Sequence, residues 1–231
     1  MITIRKSQDR GHFNHGWLES YHTFSFADYR DARYDGFRSL RVINDDKVAA
    51  QKGFPTHFHR DMEILTYLLE GSLAHKDSMG NGSTILPGEI QYMSAGRGVE
   101  HSEFNPDPNK PCHLLQIWII PAERGMPPRY SQKKLDIAQK NQWKCLASRD
   151  GRDDSIAIRQ SADLFLGRVD SQKELVFSPE PERGQWVQLI KGTLALNGIT
   201  MSPADGAAIE EEKQIVFQAK EDAEFLLFDM V

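Results

Sequence analysis

Short runs of apolar residues, or of apolar and polar residues in alternation, recur along the chain, and each is closed by Gly, Pro, Asn or Asp. LRVIN (40–44), EILTYLLEG (63–71), HLLQIWII (113–120), QWVQLIKG (185–192), QIVFQA (214–219) and EFLLFDMV (224–231) predict strands. They are too short for stable helices and rich in β-branched and aromatic side chains. GNG (80–82) and PGE (87–89) supply turn chemistry between them. Many short strands with regular turns point to barrels or sandwiches. A helix is expected at SQKKLDIAQK (131–140), after the breaker GMPPRY. It would connect two domains, 1–130 and 131–231. The expected fold is all-β, two jelly-roll-like barrels with a short connecting helix.

The two halves echo each other. LLEGSLAH (68–75) resembles LIKGTLAL (189–196), and Pro87-Gly88-Glu89 finds a looser partner in Pro203–Gly206. This reads as an internal duplication. The histidines break it: all eight, from His12 to His113, lie in the first half. Counted back from Gly192 as His57 and His59 precede Gly71, the corresponding positions are Ser178 and Glu180. The second domain is therefore expected to be a degenerate barrel without metal ligands.

Composition narrows the function classes. The 231 residues are 39% hydrophobic and 26% charged, with a formal net charge of −5, an ordinary globular balance. No run of Lys or Arg is long enough to track a phosphate backbone, which disfavours direct nucleic-acid binding. Cys112 and Cys145 are in no CxxC spacing, so neither a disulfide framework nor a thiolate metal site is expected. The first residues lack the apolar stretch of a signal peptide and no segment has the length of a membrane span. The expectation is a cytoplasmic protein with no membrane contact.

The chemistry lies in FPTHFHRDME (54–63) and GVEHSEFN (98–105). Side chains two apart on a strand share a face, so His57 and His59 form a clamp if the segment is extended, and Pro55 disfavours helix there. His101 and Glu103 repeat the spacing. On adjacent or facing strands these four could surround one ion, since three imidazoles and a carboxylate suit first-row divalent metals. An octahedral ion would keep about two positions open for substrate, dioxygen or water. The plainer alternative makes His57 and His59 ordinary polar residues at a loop mouth. His12, His15 and His22 are expected to be structural, His75 exposed after its turn, His113 a satisfied core residue or strand-end donor, and Cys112 inert.

Gly53, His57-x-His59, Glu63 and Gly71 resemble the first cupin motif; Gly88, Gly96, His101 and Asn105 resemble the second. Two departures, the extra residue between Glu63 and Gly71 and Ser94 in place of Pro, are shared with the pirin branch. GHFNHGWLESYHTFSFADYRD (11–31), LRVINDD (40–46), HFHRDMEILTYLLEG (57–71) and MSAGRGVEHSEFN (93–105) are similar to pirin signatures. The resemblance implies a bicupin with one metal held by His57, His59, His101 and Glu103. It favours Glu103 over Glu63, which would take a supporting or structural role. It implies a dioxygenase that cleaves quercetin or a related phenolic with O2 and releases CO, with Glu103 as proton acceptor. Fe(II) is the first expectation for the ion; Cu, Ni, Mn and Zn accept the same ligands. The alternatives are a metal-dependent protein-interaction or sensor module, like the co-regulators among eukaryotic pirins, and a cupin enzyme with a non-flavonoid substrate. An enzyme is expected to have a pocket of roughly 300–1,000 Å³.

Overall fold

The computed structural model describes residues 1–136 and 138–231. They form two compact units, Gly11–Leu135 and Met1–Arg10 with Asp136–Val231. In the first, seven strands form a sheet in the order Arg129–Lys134, Glu89–Ser94, Glu63–Glu70, Cys112–Ile119, Leu40–Val48, Leu18–His22, Gly11–Asn14. A second sheet runs Gly53–His59, Val99–Phe104, Leu73–Asp77, Gly82–Ile85. Leu68, Leu114 and Val48 from the large sheet pack with Leu73 and Ile85 from the small one. This is a jelly-roll-like, two-sheet architecture, and the all-β expectation holds.

The apolar runs became strands for the reason they were legible. EILTYLLE is buried at six consecutive positions, as a central strand covered on both faces must be. Val99–Phe104 alternates, with Val99, His101 and Glu103 inward and Phe104 outward. A histidine and a glutamate thus occupy positions that a purely structural strand would fill with apolar residues.

The connecting helix expected at 131–140 is not formed. Arg129–Lys134 is an edge strand, antiparallel to Glu89–Ser94 from Arg129 opposite Ser94 to Lys134 opposite Glu89. Residues 135, 136 and 138–140 carry no helix, and residue 137 of the expected segment lies outside the described residues. No helix among the described residues is long and apolar enough to cross a membrane.

The second unit repeats the plan. Its large sheet runs Ile2–Arg5, Gly206–Ile209, Gly184–Lys191, Ala223–Met230, Ala162–Val169, Gln142–Ser148, Ile156–Ala157. Its small sheet runs Glu174–Phe177, Ile215–Ala219, Leu194–Leu196, Ile199–Met201. The outer strand of the large sheet comes from the start of the chain: Ile2 pairs with Ile209 and Arg5 with Gly206. Gly71 and Gly192 hold the same left-handed turn, with φ of 79° and 80°. A Cβ on either would press on the backbone that opens the next large-sheet strand, 2.9 Å from Cys112 Cα or 2.8 Å from Ala223 Cα.

Register gives the correspondence residue by residue. Glu103 lies between Phe54 and His75; Phe217 lies between Leu175 and Leu196. His101 is opposite His57, and its counterpart Ile215 is opposite Phe177. Gln116 is opposite Thr66, and Leu227 opposite Val187. Ile215, Phe217, Leu196, Leu227 and Val187 are all fully buried in one apolar core. Where the first unit carries polar groups, the second is filled with hydrocarbon. Ser178 and Glu180 are exposed beyond the end of their strand.

Candidate metal centre

His57 and His59 sit on Gly53–His59, and His101 and Glu103 on its neighbour Val99–Phe104. Antiparallel pairing sets His101 opposite His57 and Val99 opposite His59, and the register shifts between His101 and Glu103. Gly53 permits the approach, since a Cβ there would meet the Glu103 carbonyl at 2.1 Å. The three rings converge: centroids are 4.7 Å apart for His57–His59, 4.4 Å for His57–His101 and 4.9 Å for His59–His101. One nitrogen from each lies within 4.8 Å of the other two. Glu103 belongs to an adjoining cluster, with its carboxylate and nitrogens of His101 and His75 within 4.8 Å of one another. The structure thus brings the three imidazoles together and joins Glu103 to them through His101.

The nitrogens are in the form that could accept a cation. His57 Nδ1 donates to the Pro55 carbonyl at 2.8 Å, leaving Nε2 with the lone pair. Burial, and secondarily the neighbouring His57, brings His59 down to about 4. Burial followed by His57, His59 and His75 brings His101 to about 2. Both rings are neutral near pH 7, the form that binds a cation. His101 Nε2 and Glu103 Oε1 are buried and have no hydrogen-bond partner among the described residues. Such orphaned atoms are expensive unless something completes them. A borderline cation fits this donor set, with nitrogens from His57, His59 and His101 and an oxygen from Glu103.

The remaining Glu103 oxygen is fixed. Gln116 Nε2 donates to Oε2 at 2.8 Å, and Thr66 Oγ1 donates to Gln116 Oε1 at 2.8 Å. Burial pushes the Glu103 carboxyl up to about 7, with Gln116 and Thr66 pulling the other way. Glu63 lies in the other sheet, where the Tyr92 hydroxyl donates to it at 2.5 Å.

A cavity of about 150 Å³ opens beside these groups, lined by His57, His59 and Glu103 and by Phe54, Trp118 and Asp46 among others. It is smaller than the expected enzyme pocket, because aromatic side chains, Phe26 and Trp118 in edge contact at 5.3 Å, fill that end of the unit. Asp46 accepts a hydrogen bond from the Ser20 hydroxyl, and burial raises its carboxyl to about 7. His15 and His22 also line the cavity.

The sequence reading missed His75. It is 3% exposed rather than at the surface, with His101 Nδ1 at 3.5 Å and Asp77 Oδ2 3.2 Å from its Nε2. The signal was present: His75-x-Asp77 has the same two-residue spacing as the other pairs, on a strand whose inward positions begin at Leu73. His113 is 2.6 Å from Asp45 Oδ1, and Cys112 is buried with its thiol raised to about 11, an inert state.

Residues 3–119 match the family described as Pirin, and residues 145–230 match the quercetinase C-terminal cupin domain. The chain is 48% identical over 230 residues to quercetin 2,3-dioxygenase of Escherichia coli K12, covering 100% of this chain and 99% of the relative. It is 36% identical over 231 residues to a pirin-like protein of Caulobacter vibrioides, covering 99% of each. The crystal structure of a bacterial pirin from E. coli in complex with nickel(II) superposes with a TM-score of 0.96 at 46% identity, covering 100% of this chain and 99% of that one. With three imidazoles converging as the cupin motifs imply and full-length likeness of this strength, the chain belongs to the pirin family.

Proposed function

We propose that this protein is a metal-dependent dioxygenase that cleaves quercetin or a related phenolic with O2, releasing CO, with the ion held by His57, His59, His101 and Glu103. The observation that carries the reading is the pair of buried, unpartnered atoms, His101 Nε2 and Glu103 Oε1, beside a cavity lined by His57 and His59. The relatives named for this activity, and the nickel(II) complex of a pirin, support it. Bound there, a divalent first-row ion would supply Lewis acidity that makes ionisation of a flavonol hydroxyl favourable near neutral pH, and a route for dioxygen chemistry.

The chain's own residues do the rest. Glu103 can take the hydroxyl proton on Oε1, either as a ligand that swings off the ion or from beside it, while Gln116 holds Oε2 in place. Trp118, Phe26 and Phe54 present apolar walls to an aromatic ring and keep water from the reacting end. The volume of about 150 Å³ admits one ring of a flavonol, with the remainder outside the cavity. The same volume favours a second reading, a smaller non-flavonoid phenolic as the physiological substrate.

The test is anaerobic loading with Fe(II), Mn(II), Ni(II), Cu(II) or Zn(II) in turn, then quercetin and oxygen with detection of CO. CO release that disappears in His57→Ala and Glu103→Ala supports the flavonol reading. Tight metal binding with no CO from quercetin, but oxygen uptake with a single-ring phenol, replaces it with the second.

A further inference from the structure

Two buried groups behind His101 have no task in the chemistry above. His75 and Asp77 have side chains with no exposure at all, and they lie on Leu73–Asp77, which pairs with the strand of His101 and Glu103. Asp77 is opposite His101 and His75 opposite Glu103. An imidazole and a carboxylate are costly to bury. The fold can dispense with the imidazole: in the second unit Leu196 takes the place of His75, and there the metal-site positions are apolar as well.

Asp77 dictates where the protons lie. Its Oδ1 accepts from the amides of Met79 at 2.9 Å and Asn81 at 3.0 Å. Asn81 Nδ2 donates to Oδ1 at 3.2 Å and to Oδ2 at 2.9 Å. A carboxylate ringed by donors acts as an acceptor only, so His75 Nε2, 3.2 Å from Oδ2, carries its hydrogen. The other nitrogen of the neutral ring, Nδ1, then bears a lone pair, and it faces His101 Nδ1 at 3.5 Å, the long end of hydrogen-bonding distance. That contact is attractive only if His101 carries its hydrogen on Nδ1. The His101 lone pair is then on Nε2, the atom without a partner. Tyr130 stacks on His75 at 4.9 Å and 24°, fixing the ring plane.

We propose that Asp77 and His75 are a positioning pair that locks His101 in the tautomer whose Nε2 lone pair is offered to the metal. The proposal rests on His101 being a ligand. It parallels the Pro55 carbonyl at His57, with a buried carboxylate–imidazole relay in place of a carbonyl.

The experiment measures nickel(II) affinity by chelator competition and reads imidazole tautomers of the metal-free protein by long-range ¹⁵N correlation. Wild type, His75→Leu, His75→Gln, Asp77→Asn and His101→Ala are compared, with melting of each metal-free protein as the fold control. His75→Leu is expected to weaken nickel(II) binding about 10- to 100-fold and to give His101 a mixture of tautomers. His75→Gln, whose amide oxygen can accept from Nδ1–H, is expected to recover most of the affinity. Asp77→Asn, nearly isosteric, tests the relay if His75→Leu does not fold, and is expected to shift both readouts. Wild-type affinity and tautomer in His75→Leu and Asp77→Asn, beside lost binding in His101→Ala, overturn the positioning role alone. Undiminished binding in His101→Ala overturns the ligand assignment and this role with it.

Discussion

Around the cavity, pH acts on individual residues in opposite directions. His59 and His101 have lowered values, so their contribution to stability is present above the ordinary imidazole value of 6.5. It is lost as pH falls through about 4 for His59 and lower still for His101. Asp46, raised from 3.8 to about 7, contributes fully below 3.8 and loses that contribution as pH rises through 7. Asp46→Asn should therefore stabilise the metal-free protein near pH 8 by on the order of a few kcal/mol, and by little near pH 4. Urea unfolding at both pH values checks this, and an equal gain at both would show that Asp46 is not titrating in the fold. Metal content tests the candidate ligands against the two exposed residues that sequence spacing alone aligns with His57 and His59. His57→Ala and His101→Ala should lose the ion, whereas Ser178→Ala and Glu180→Ala should keep it. Equal loss from both sets would sink a single-site assignment.

At the scale of the strand, inward polar residues are what made the site legible. Val99–Phe104 and Gly53–His59 show their chemistry in the sequence because alternation assigns each side chain a face. His75 was misread because the turn at Gly71 suggested exposure, yet Leu73, His75 and Asp77 are the buried positions of a five-residue strand. Gln116 gives no local signal, since its partners Glu103 and Thr66 come from distant segments. The expected helix failed for a different reason. Ser131–Lys140 has helix-forming residues, but its first part completes the edge of a sheet, where exposed Lys134 also discourages further pairing. The same alternation in the second unit points apolar side chains inward. Phe217→Ala, at the counterpart of Glu103, should cost about 3–5 kcal/mol and leave metal content unchanged. Denaturant unfolding with metal analysis tests both, and metal loss in a folded Phe217→Ala protein would contradict the division of labour between the units.

For the whole molecule, a metal bound only by the folded form adds stability by mass action, about 2.7 kcal/mol at a hundredfold excess over the dissociation constant. Nickel(II) should raise the melting temperature of wild type and leave that of His57→Ala unmoved. Equal shifts in the two would place the ion elsewhere. The dependence is expected in one of two similarly built units. The second, with Ile215, Phe217, Leu196 and Leu227 where the first has His101, Glu103, His75 and Gln116, is filled with hydrocarbon.

The pairing of Ile2–Arg5 with Gly206–Ile209 also has a consequence for biosynthesis. A strand made before Gly11–Leu135 must wait for a partner made after it, whereas Gly11–Leu135 contains every strand of its own sheets. The half that carries the candidate ligands can finish folding, and take up its ion, while the other half is still being translated. A nascent chain stalled with Leu135 clear of the exit tunnel should already bind nickel(II). One that binds only after Ile209 has emerged would tie completion of the centre to closure of the second unit.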